Sequence, residues 1–188
     1  KYWEKLGVGT TFDAENPEVI APLADLLPWF IHNGMIHFST PYGLEQFIGA
    51  AWGVRDVCQG PVEMLLSVGE SESVRKTVLK VFEHQYRSGS WPQWFMFDNY
   101  YKVQQHESHG DIPVWPLKAV CDYLESTEEF AILDEELVWT EDDYAFSSDR
   151  ATLHDHMLRT LAYLKANLIE GTSLLCYGDG DWNDSLQP

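Results

Sequence analysis

Residues 150–168 read RATLHDHMLRTLAYLKANL and repeat large apolar side chains every three or four positions: Leu153, Met157, Leu158, Leu161, Leu164 and Leu168. This period places the apolar side chains on one face of an α-helix. Ser147 or Ser148 precedes the stretch as a start signal, and Gly171 follows its end. The stretch therefore predicts an amphipathic helix that buries one face in a helical protein.

The same periodicity continues elsewhere in the chain. It predicts helices over 72–87 and 114–126, and shorter helices over 18–32, 56–68 and 129–138. Extended structure is expected only over 34–38 and 94–97, and long loops over 88–113 and 139–149. Because long ordered loops in a compact domain usually carry function, the first of these loops is the place to look for a site. The predicted fold class is all-α.

Helical hairpins joined by alternately short and long loops are typical of a toroid of paired helices. About six helices are half of a twelve-helix (α/α)6 barrel, and no Ser/Gly-rich linker divides the chain. The chain also begins at Lys1 and ends directly after an acidic loop. We therefore expect residues 1–188 to be an incomplete, N-terminal portion of one (α/α)6 barrel domain, truncated at both ends.

The charge and cysteine content restrict the partners and the compartment. Thirty Asp and Glu against 12 Lys and Arg give a formal net charge of −18, which argues against nucleic acid as a ligand. No apolar run approaches the ~20 residues that span a bilayer, so we expect no membrane segment. Cys58, Cys121 and Cys176 are odd in number and lie in apolar contexts, so we expect them to be buried and reduced, in the cytoplasm.

A single carboxylate stands out in the loop SHGDIPVWP, residues 108–116. Asp111 follows Gly110 and precedes Ile112 and Pro113 there, shortly after the aromatic run WPQWFMF at 91–97. Aromatic rings stack on the faces of sugar rings, and apolar surroundings favour the neutral form of a carboxyl group. Asp111 is therefore the candidate general acid of a reaction on a carbohydrate.

Two other clusters carry polar or aromatic groups suited to sugars. Arg55, Asp56 and Gln59 follow a Gly-rich turn and would grip sugar hydroxyls, although Asp56 could instead cap a helix with Arg55 as a structural partner. Trp94 is the candidate sugar platform in the aromatic run, against the alternative that its ring belongs to the core. His109 lies beside the candidate acid.

A final acidic loop, YGDGDWND at 177–184, contains Asp181 and two further Asp residues around one Trp. A calcium-loop interpretation fails because the sixth-position Gly and a closing Glu are missing. His154 and His156 are two residues apart on a helix and point to different faces. We therefore predict no catalytic metal.

The number of carboxylates would separate two reactions. An inverting glycoside hydrolase needs a second carboxylate that activates water on the opposite face of the sugar. A phosphorylase needs only the acid, because phosphate is itself an anionic nucleophile and a facing carboxylate would repel it. The sequence does not place Asp56, Asp98, Glu107 or Asp181 relative to Asp111, so both reactions stay open at this point.

Taken together, the clusters resemble the inverting glycoside phosphorylases of glycoside hydrolase family 94, which act on cellobiose, chitobiose or β-1,2-oligoglucans, and their relatives that act on β-1,3-glucans. The resemblance follows the family's order through five segments: 17–29, 53–59 (GVRDVCQ), 84–85 (HQ) with 91–94 (WPQW), 111–116 (DIPVWP) and 180–184 (GDWND). It implies an (α/α)6 barrel and phosphorolysis of a β-glucosidic bond that releases α-glucose 1-phosphate with inversion. Inorganic phosphate would be a co-substrate, and no cofactor is implied.

By this resemblance Asp111 is the general acid, and Arg55 and Asp56 bind the sugar in the −1 subsite. Gln59, Trp94, His109 and Asp181 are the further substrate-binding candidates. The family's phosphate-binding residues would lie beyond this chain, and a homodimer is expected for the complete enzyme.

Departures from the cellobiose phosphorylase pattern at Gly60, Ile112 and Ser185 favour the oligoglucan-type relatives. The alternatives are an inverting glycoside hydrolase or transglycosylase on the same barrel, and a non-catalytic carbohydrate-binding domain.

Overall fold

The structure, a computed structural model, describes residues 17–39 and 51–180. The helices within these ranges are α1 Pro17–Ser39, α2 Val54–Cys58, α3 Gly60–Ser67, α4 Ser71–Glu83, α5 Val114–Thr127 and α6 Leu153–Ala166. The strands there are β1 Trp52–Gly53, β2 Trp94–Phe95, β3 Glu136–Thr140 and β4 Phe146–Thr152, with 3-10 turns at Asp98–Tyr100 and Phe130–Asp134. Two antiparallel pairs result, β1 with β2 and β3 with β4.

The helices predicted over 18–32, 72–87, 114–126 and 150–168 are confirmed as α1, α4, α5 and α6. The buried face of α6 was predicted wrongly, however: it consists of Leu153, His156 and Thr160, and Leu158 and Leu161 are exposed. The helix predicted over 56–68 is two helices, because the chain turns at Gln59 (φ −97°, ψ −113°) and restarts with Pro61 in the first turn of α3. A proline in a helix interior removes a backbone hydrogen bond and clashes with the preceding turn. The strand predicted over 34–38 is wrong, since α1 continues to Ser39.

The hairpin β3–β4 was predicted as a helix over 129–138 and a loop over 139–149, and both predictions are wrong. Leu137 pairs with Ala151 and Thr140 with Phe146, while Leu137 and Trp139 turn inward. Ser147 and Ser148, the predicted start signals of the last helix, lie within β4. Helix α6 begins instead after Thr152, whose side chain and that of Asp155 form a reciprocal capping box. The predicted all-α class therefore describes the main elements, but it does not account for this β-hairpin.

The core forms where α2, α4 and α5 meet the aromatic segment. Trp91 is fully buried, and its indole N–H donates to the Val81 carbonyl at 2.9 Å. The ring of Phe82 meets that of Trp91 edge-on, with centroids 5.2 Å apart. Trp91 therefore belongs to the core and fixes the start of the loop that leads to Asp111.

Helix α1 leaves most of its large apolar side chains exposed. Trp29 is 65% exposed and Phe30 61%. Contrary to the sequence expectation, its residues Glu18–Phe38 are long and apolar enough to cross a membrane by length and composition alone. Core helices of soluble proteins and signal sequences share these properties.

The cysteines also depart from expectation. All three are free, as expected, but Cys58 is buried, whereas Cys176 is half-buried and Cys121 is exposed. Burial raises the pKa of the Cys58 thiol, which therefore stays protonated.

A buried polar network joins α6 to the segment after α4. The Gln85 side-chain amide donates to Thr160 Oγ1 at 2.8 Å, and its oxygen lies 2.6 Å from His156 Nδ1. Because the amide oxygen only accepts, His156 Nδ1 carries the hydrogen. The Trp139 ring stacks on His156 with centroids 3.7 Å apart. His156 and Gln85 are therefore structural residues. This accounts for the Gln of the His-Gln pair at 84–85.

Two loops meet through their backbones and place the segment that carries Asp111. The Gly110 N–H donates to the Tyr177 carbonyl at 2.8 Å, and the Asp179 N–H donates to the Ser108 carbonyl at 3.1 Å. Gly178 has φ +70°, and a Cβ there would come within 2.5 Å of the Gly110 nitrogen. Both glycines are required by this close approach.

We expect acid to destabilise the fold through His156. Burial lowers its pKa from 6.5 to about 4, so the unfolded chain binds the proton first as the pH falls. The free energy of unfolding should then decrease between pH 6.5 and 4, by at most about 1.4 kcal/mol per pH unit from this residue. His156→Asn keeps an N–H donor but does not titrate, so its profile in urea unfolding should be flatter.

The control is His154→Asn on the exposed face of α6, which should keep the wild-type slope. His84 adds a decrease of the same sign in all three proteins, because burial lowers its pKa to about 3. Parallel profiles for wild type and His156→Asn would contradict the assignment.

The loop contact predicts unequal effects of two glycine substitutions. Gly171→Ala and Gly178→Ala introduce a similar backbone strain, since φ is +74° and +70°. A Cβ at Gly171 meets nothing within 4 Å, whereas one at Gly178 meets Gly110 and Ser108. Gly178→Ala should therefore lower the free energy of unfolding by about 1–3 kcal/mol more than Gly171→Ala. Equal losses in urea unfolding would show that the loops do not depend on this contact.

Candidate functional site

The site is organised around an ion pair between two residues that are 56 positions apart. Arg55 Nη1 lies 3.1 Å from Asp111 Oδ1 and 3.0 Å from Oδ2. The Arg55 side chain is only 9% exposed, whereas that of Asp111 is 39% exposed. The buried cation thus holds a carboxylate that remains open to a ligand from the solvent side.

The strands explain why Arg55 lies there. Arg55 is in the first turn of α2, directly after β1, and β1 pairs with β2 so that Gly53 faces Trp94. The Val54 N–H donates to the Gln93 carbonyl at 3.0 Å. Because this short sheet fixes where α2 begins, it also fixes the direction in which the Arg55 side chain leaves the backbone.

Asp111 is held from a second direction by the helix that follows it. Trp115 lies four residues later, in the first turn of α5, and its indole N–H donates to Asp111 Oδ2 at 2.9 Å. The carboxylate therefore accepts hydrogen bonds from a guanidinium and from an indole. Both contacts orient its oxygens and stabilise negative charge on them.

His109 completes the cluster on the other side of Arg55. Its Nδ1 lies 3.2 Å from Arg55 Nη2. Its backbone N–H donates to Gln93 Oε1 at 3.0 Å, and its carbonyl accepts from the Ile112 N–H at 3.1 Å. The loop, the aromatic segment and α2 are thus connected at one point.

The cluster borders an open groove formed by the two loops that meet through their backbones. This groove is lined by Gly110, Asp111, Leu175, Cys176, Tyr177 and Gly180. Its residues expose backbone groups, a carboxylate and one tyrosine, which are groups that bind hydroxyls.

The structure brings together three of the predicted site residues: Arg55, His109 and Asp111. Asp56 is exposed on α2, and its carboxylate packs against Gly53. This position at the start of the helix agrees with the alternative that Asp56 caps it. No side-chain cap hydrogen bond is formed at that helix start, however.

Gln59 and Trp94 occupy other positions. Gln59 is half-buried at the junction of α2 and α3, where its carbonyl accepts from the Glu63 N–H at 3.2 Å. The half-buried Trp94 donates its indole N–H to Gln105 Oε1 at 2.8 Å, which joins β2 to the returning chain. Asp181 lies outside the described residues.

Two members of the cluster were not among the predicted site residues. Trp115 could have been found from its spacing, because residues four apart at a helix start face each other. Gln93 gave no such signal, since its side chain reaches a backbone N–H 16 residues away. Both residues lie in the motifs quoted above, DIPVWP and WPQW.

The comparisons with known proteins identify the family of this chain. Residues 44–188 match the model of the glycosyl hydrolase 94 superfamily catalytic domain. The 1,2-beta-oligoglucan phosphorylase of Listeria innocua serovar 6a (strain ATCC BAA-680 / CLIP 11262) is 48% identical over 162 residues, which are 85% of this chain and 15% of the relative.

Two proteins of Paenibacillus borealis are also similar. Its solabiose phosphorylase is 28% identical over 149 residues, 79% of this chain and 16% of that protein. Its 3-O-beta-D-glucopyranosyl-beta-D-glucuronide phosphorylase is 33% identical over 111 residues, 58% of this chain and 14% of that protein. The chain spans about one seventh of the length of the curated relatives it matches. By the match of residues 44–188 to its catalytic domain, the chain belongs to the glycosyl hydrolase 94 superfamily.

Proposed function

We propose that this chain supplies the sugar-binding part of an enzyme that phosphorolyses β-1,2-linked gluco-oligosaccharides to α-glucose 1-phosphate and a shortened oligosaccharide. The observation that carries the proposal is the Arg55–Asp111 pair at the edge of an open groove, in a chain of this family. The β-1,2 linkage is taken from the name of the relative that is 48% identical. Inorganic phosphate is the co-substrate and no cofactor takes part.

Charged groups suit the binding of a glucosyl unit. A sugar hydroxyl both donates and accepts, so a guanidinium and a carboxylate side by side can hold two neighbouring hydroxyls. Hydrogen bonds to charged groups are about twice as strong as those between neutral groups. Because Arg55 is buried, its position is set before the sugar arrives, and less order has to be imposed on binding.

In the proposed reaction a phosphate oxygen attacks the anomeric carbon from the side opposite the glycosidic bond. The bond between that carbon and the bridging oxygen breaks, and a general acid gives its proton to the bridging oxygen. The departing oligosaccharide is neutral, and the configuration at the anomeric carbon inverts. Phosphate needs no carboxylate base, since it is already an anion.

Asp111 is the proposed general acid. Its carboxylate is partly exposed beside the groove, and Trp115 orients one oxygen at 2.9 Å. The contact with Arg55 is one that an ionised carboxylate makes, whereas a proton donor must be neutral when the reaction starts. The role therefore requires Arg55 to exchange its contact with Asp111 for the hydroxyls of the bound sugar.

A specific observation favours a second role for the same residue. Asp111 accepts hydrogen bonds from both Arg55 and Trp115, an arrangement suited to a carboxylate that stays ionised and binds hydroxyls. In that case the proton would come from another carboxylate. The backbone contact between residues 108–110 and 177–179 brings one such carboxylate, that of Asp179, to the loop that carries Asp111.

We also propose that residues 1–188 form an N-terminal portion of an (α/α)6 barrel with further helices outside this chain. The exposed apolar face of α1 supports this, because Trp29 and Phe30 present a surface that neighbouring helices would cover. Asp56, Gln59, Trp94, His109 and Asp181 would then line or support the sugar subsite. A cytoplasmic homodimer is the proposed form of the complete enzyme.

The requirement for phosphate tests the proposed reaction. The complete enzyme that contains this chain is incubated with β-1,2-gluco-oligosaccharides, with and without inorganic phosphate, and the products are followed by proton NMR. We expect α-glucose 1-phosphate to appear only with phosphate, because in the proposed reaction phosphate, and not water, attacks the anomeric carbon. Release of glucose at the same rate without phosphate would assign the chain to the inverting hydrolases, and binding without turnover would make it a carbohydrate-binding domain.

The role of Asp111 is tested by Asp111→Asn with two substrates. Loss of a general acid should lower the rate on oligosaccharides by about 10²–10⁴-fold. The dinitrophenolate of a dinitrophenyl β-glucoside leaves without needing a proton. Phosphorolysis of this substrate by Asp111→Asn should therefore remain near the wild-type rate. Asp143→Asn, at an exposed residue of the hairpin, is the matched control and should leave both rates unchanged. Equal losses on both substrates would instead identify Asp111 as a sugar-binding carboxylate.

A further inference from the structure

The contact between Arg55 and Asp111 is made by one nitrogen of the guanidinium, although two could take part. Arg55 Nη1 contacts both carboxylate oxygens, at 3.1 and 3.0 Å. Arginine and carboxylate commonly pair through two parallel hydrogen bonds from two nitrogens, which is the stronger arrangement. Here the second terminal nitrogen, Nη2, is directed to His109 Nδ1 at 3.2 Å.

We propose that His109 is a positioning residue that holds Arg55 Nη2 away from Asp111 and thereby keeps the carboxylate accessible to the sugar. The inference rests on the proposed function, because its effect is read from phosphorolysis. It assigns His109 a role through Arg55 in place of the direct sugar contact expected from the sequence.

The chemistry of the two groups defines the state of His109. A guanidinium donates hydrogen bonds and accepts none. The Nδ1 atom of His109 must therefore be the acceptor, and the ring hydrogen lies on Nε2. His109 is thus neutral in this arrangement, and its lone pair is directed at the cation.

The backbone at His109 is held by hydrogen bonds on both sides. Gln93 Oε1 accepts from the His109 N–H at 3.0 Å, and the His109 carbonyl accepts from the Ile112 N–H at 3.1 Å. The following residue, Gly110, is tied to Tyr177. Because the chain is held on both sides of His109, the Nδ1 atom stays within reach of Arg55.

Removal of this acceptor would allow both terminal nitrogens of Arg55 to pair with Asp111. The tighter ion pair would compete with the sugar hydroxyls for both charged groups. Binding should therefore weaken, and the change should appear mainly in KM, since the pair must open before the sugar is held. The loss of one hydrogen bond to a charged group corresponds to a change of about 10- to 100-fold in a binding constant.

The test compares two amides at one position in the complete enzyme. His109→Asn places its side-chain oxygen near the position of Nδ1, whereas His109→Gln places it near that of Nε2. We expect KM for β-1,2-gluco-oligosaccharides to stay within about threefold of wild type in His109→Asn and to rise about 10- to 100-fold in His109→Gln. His106→Gln, at an exposed histidine in the same loop, is the control and should behave as wild type.

Thermal unfolding of each variant identifies any loss of fold. If His109→Gln does not fold, Gln93→Leu removes the anchor of the His109 N–H and should raise KM in the same direction. Equal KM values for His109→Asn and His109→Gln, whether at the wild-type value or raised, would overturn the inference.

Failure of the proposed function is a separate outcome. Wild-type enzyme that does not phosphorolyse these sugars would refute that function. The order of oligosaccharide affinities in titration calorimetry, with His109→Asn near wild type and His109→Gln weaker, would then decide on His109 alone.

Discussion

The contact between Arg55 and Asp111 is the constraint that gives this part of the molecule its shape. A largely buried guanidinium requires a partner, because an unpaired charge in the interior is strongly destabilising. Asp111 meets this requirement and thereby fixes the loop before α5 against α2. The strand pair β1–β2 positions Arg55 for this contact. The buried Trp91 and the turn at Ile112 position the loop that carries Asp111.

The sequence predicted the elements whose signal is local. Helix α6 was predictable because its leucines repeat within a single element, and Trp115 was within reach through its spacing from Asp111. The strand β4 was not, because FSSDRAT lacks a strand pattern and becomes extended only by pairing with β3. Propensity is overridden there by a tertiary contact.

The site shows the same division between local and distant information. Arg55, His109 and Asp111 were chosen for their residue types and by resemblance, but their mutual contacts join positions 54 and 56 residues apart. Periodicity carries no information on such pairs. Gln93 was not predictable, because it accepts from a backbone N–H that every residue except proline could supply.

The close approach of Gly110 and Gly178 has a consequence for variation among related enzymes. The two loops are joined by main-chain groups, so their mutual position is independent of neighbouring side-chain identity. Substitutions at Cys176 or Tyr177 could therefore alter the lining of the groove while its frame is retained. New substrate preferences could arise on an unchanged backbone, provided that both glycines persist.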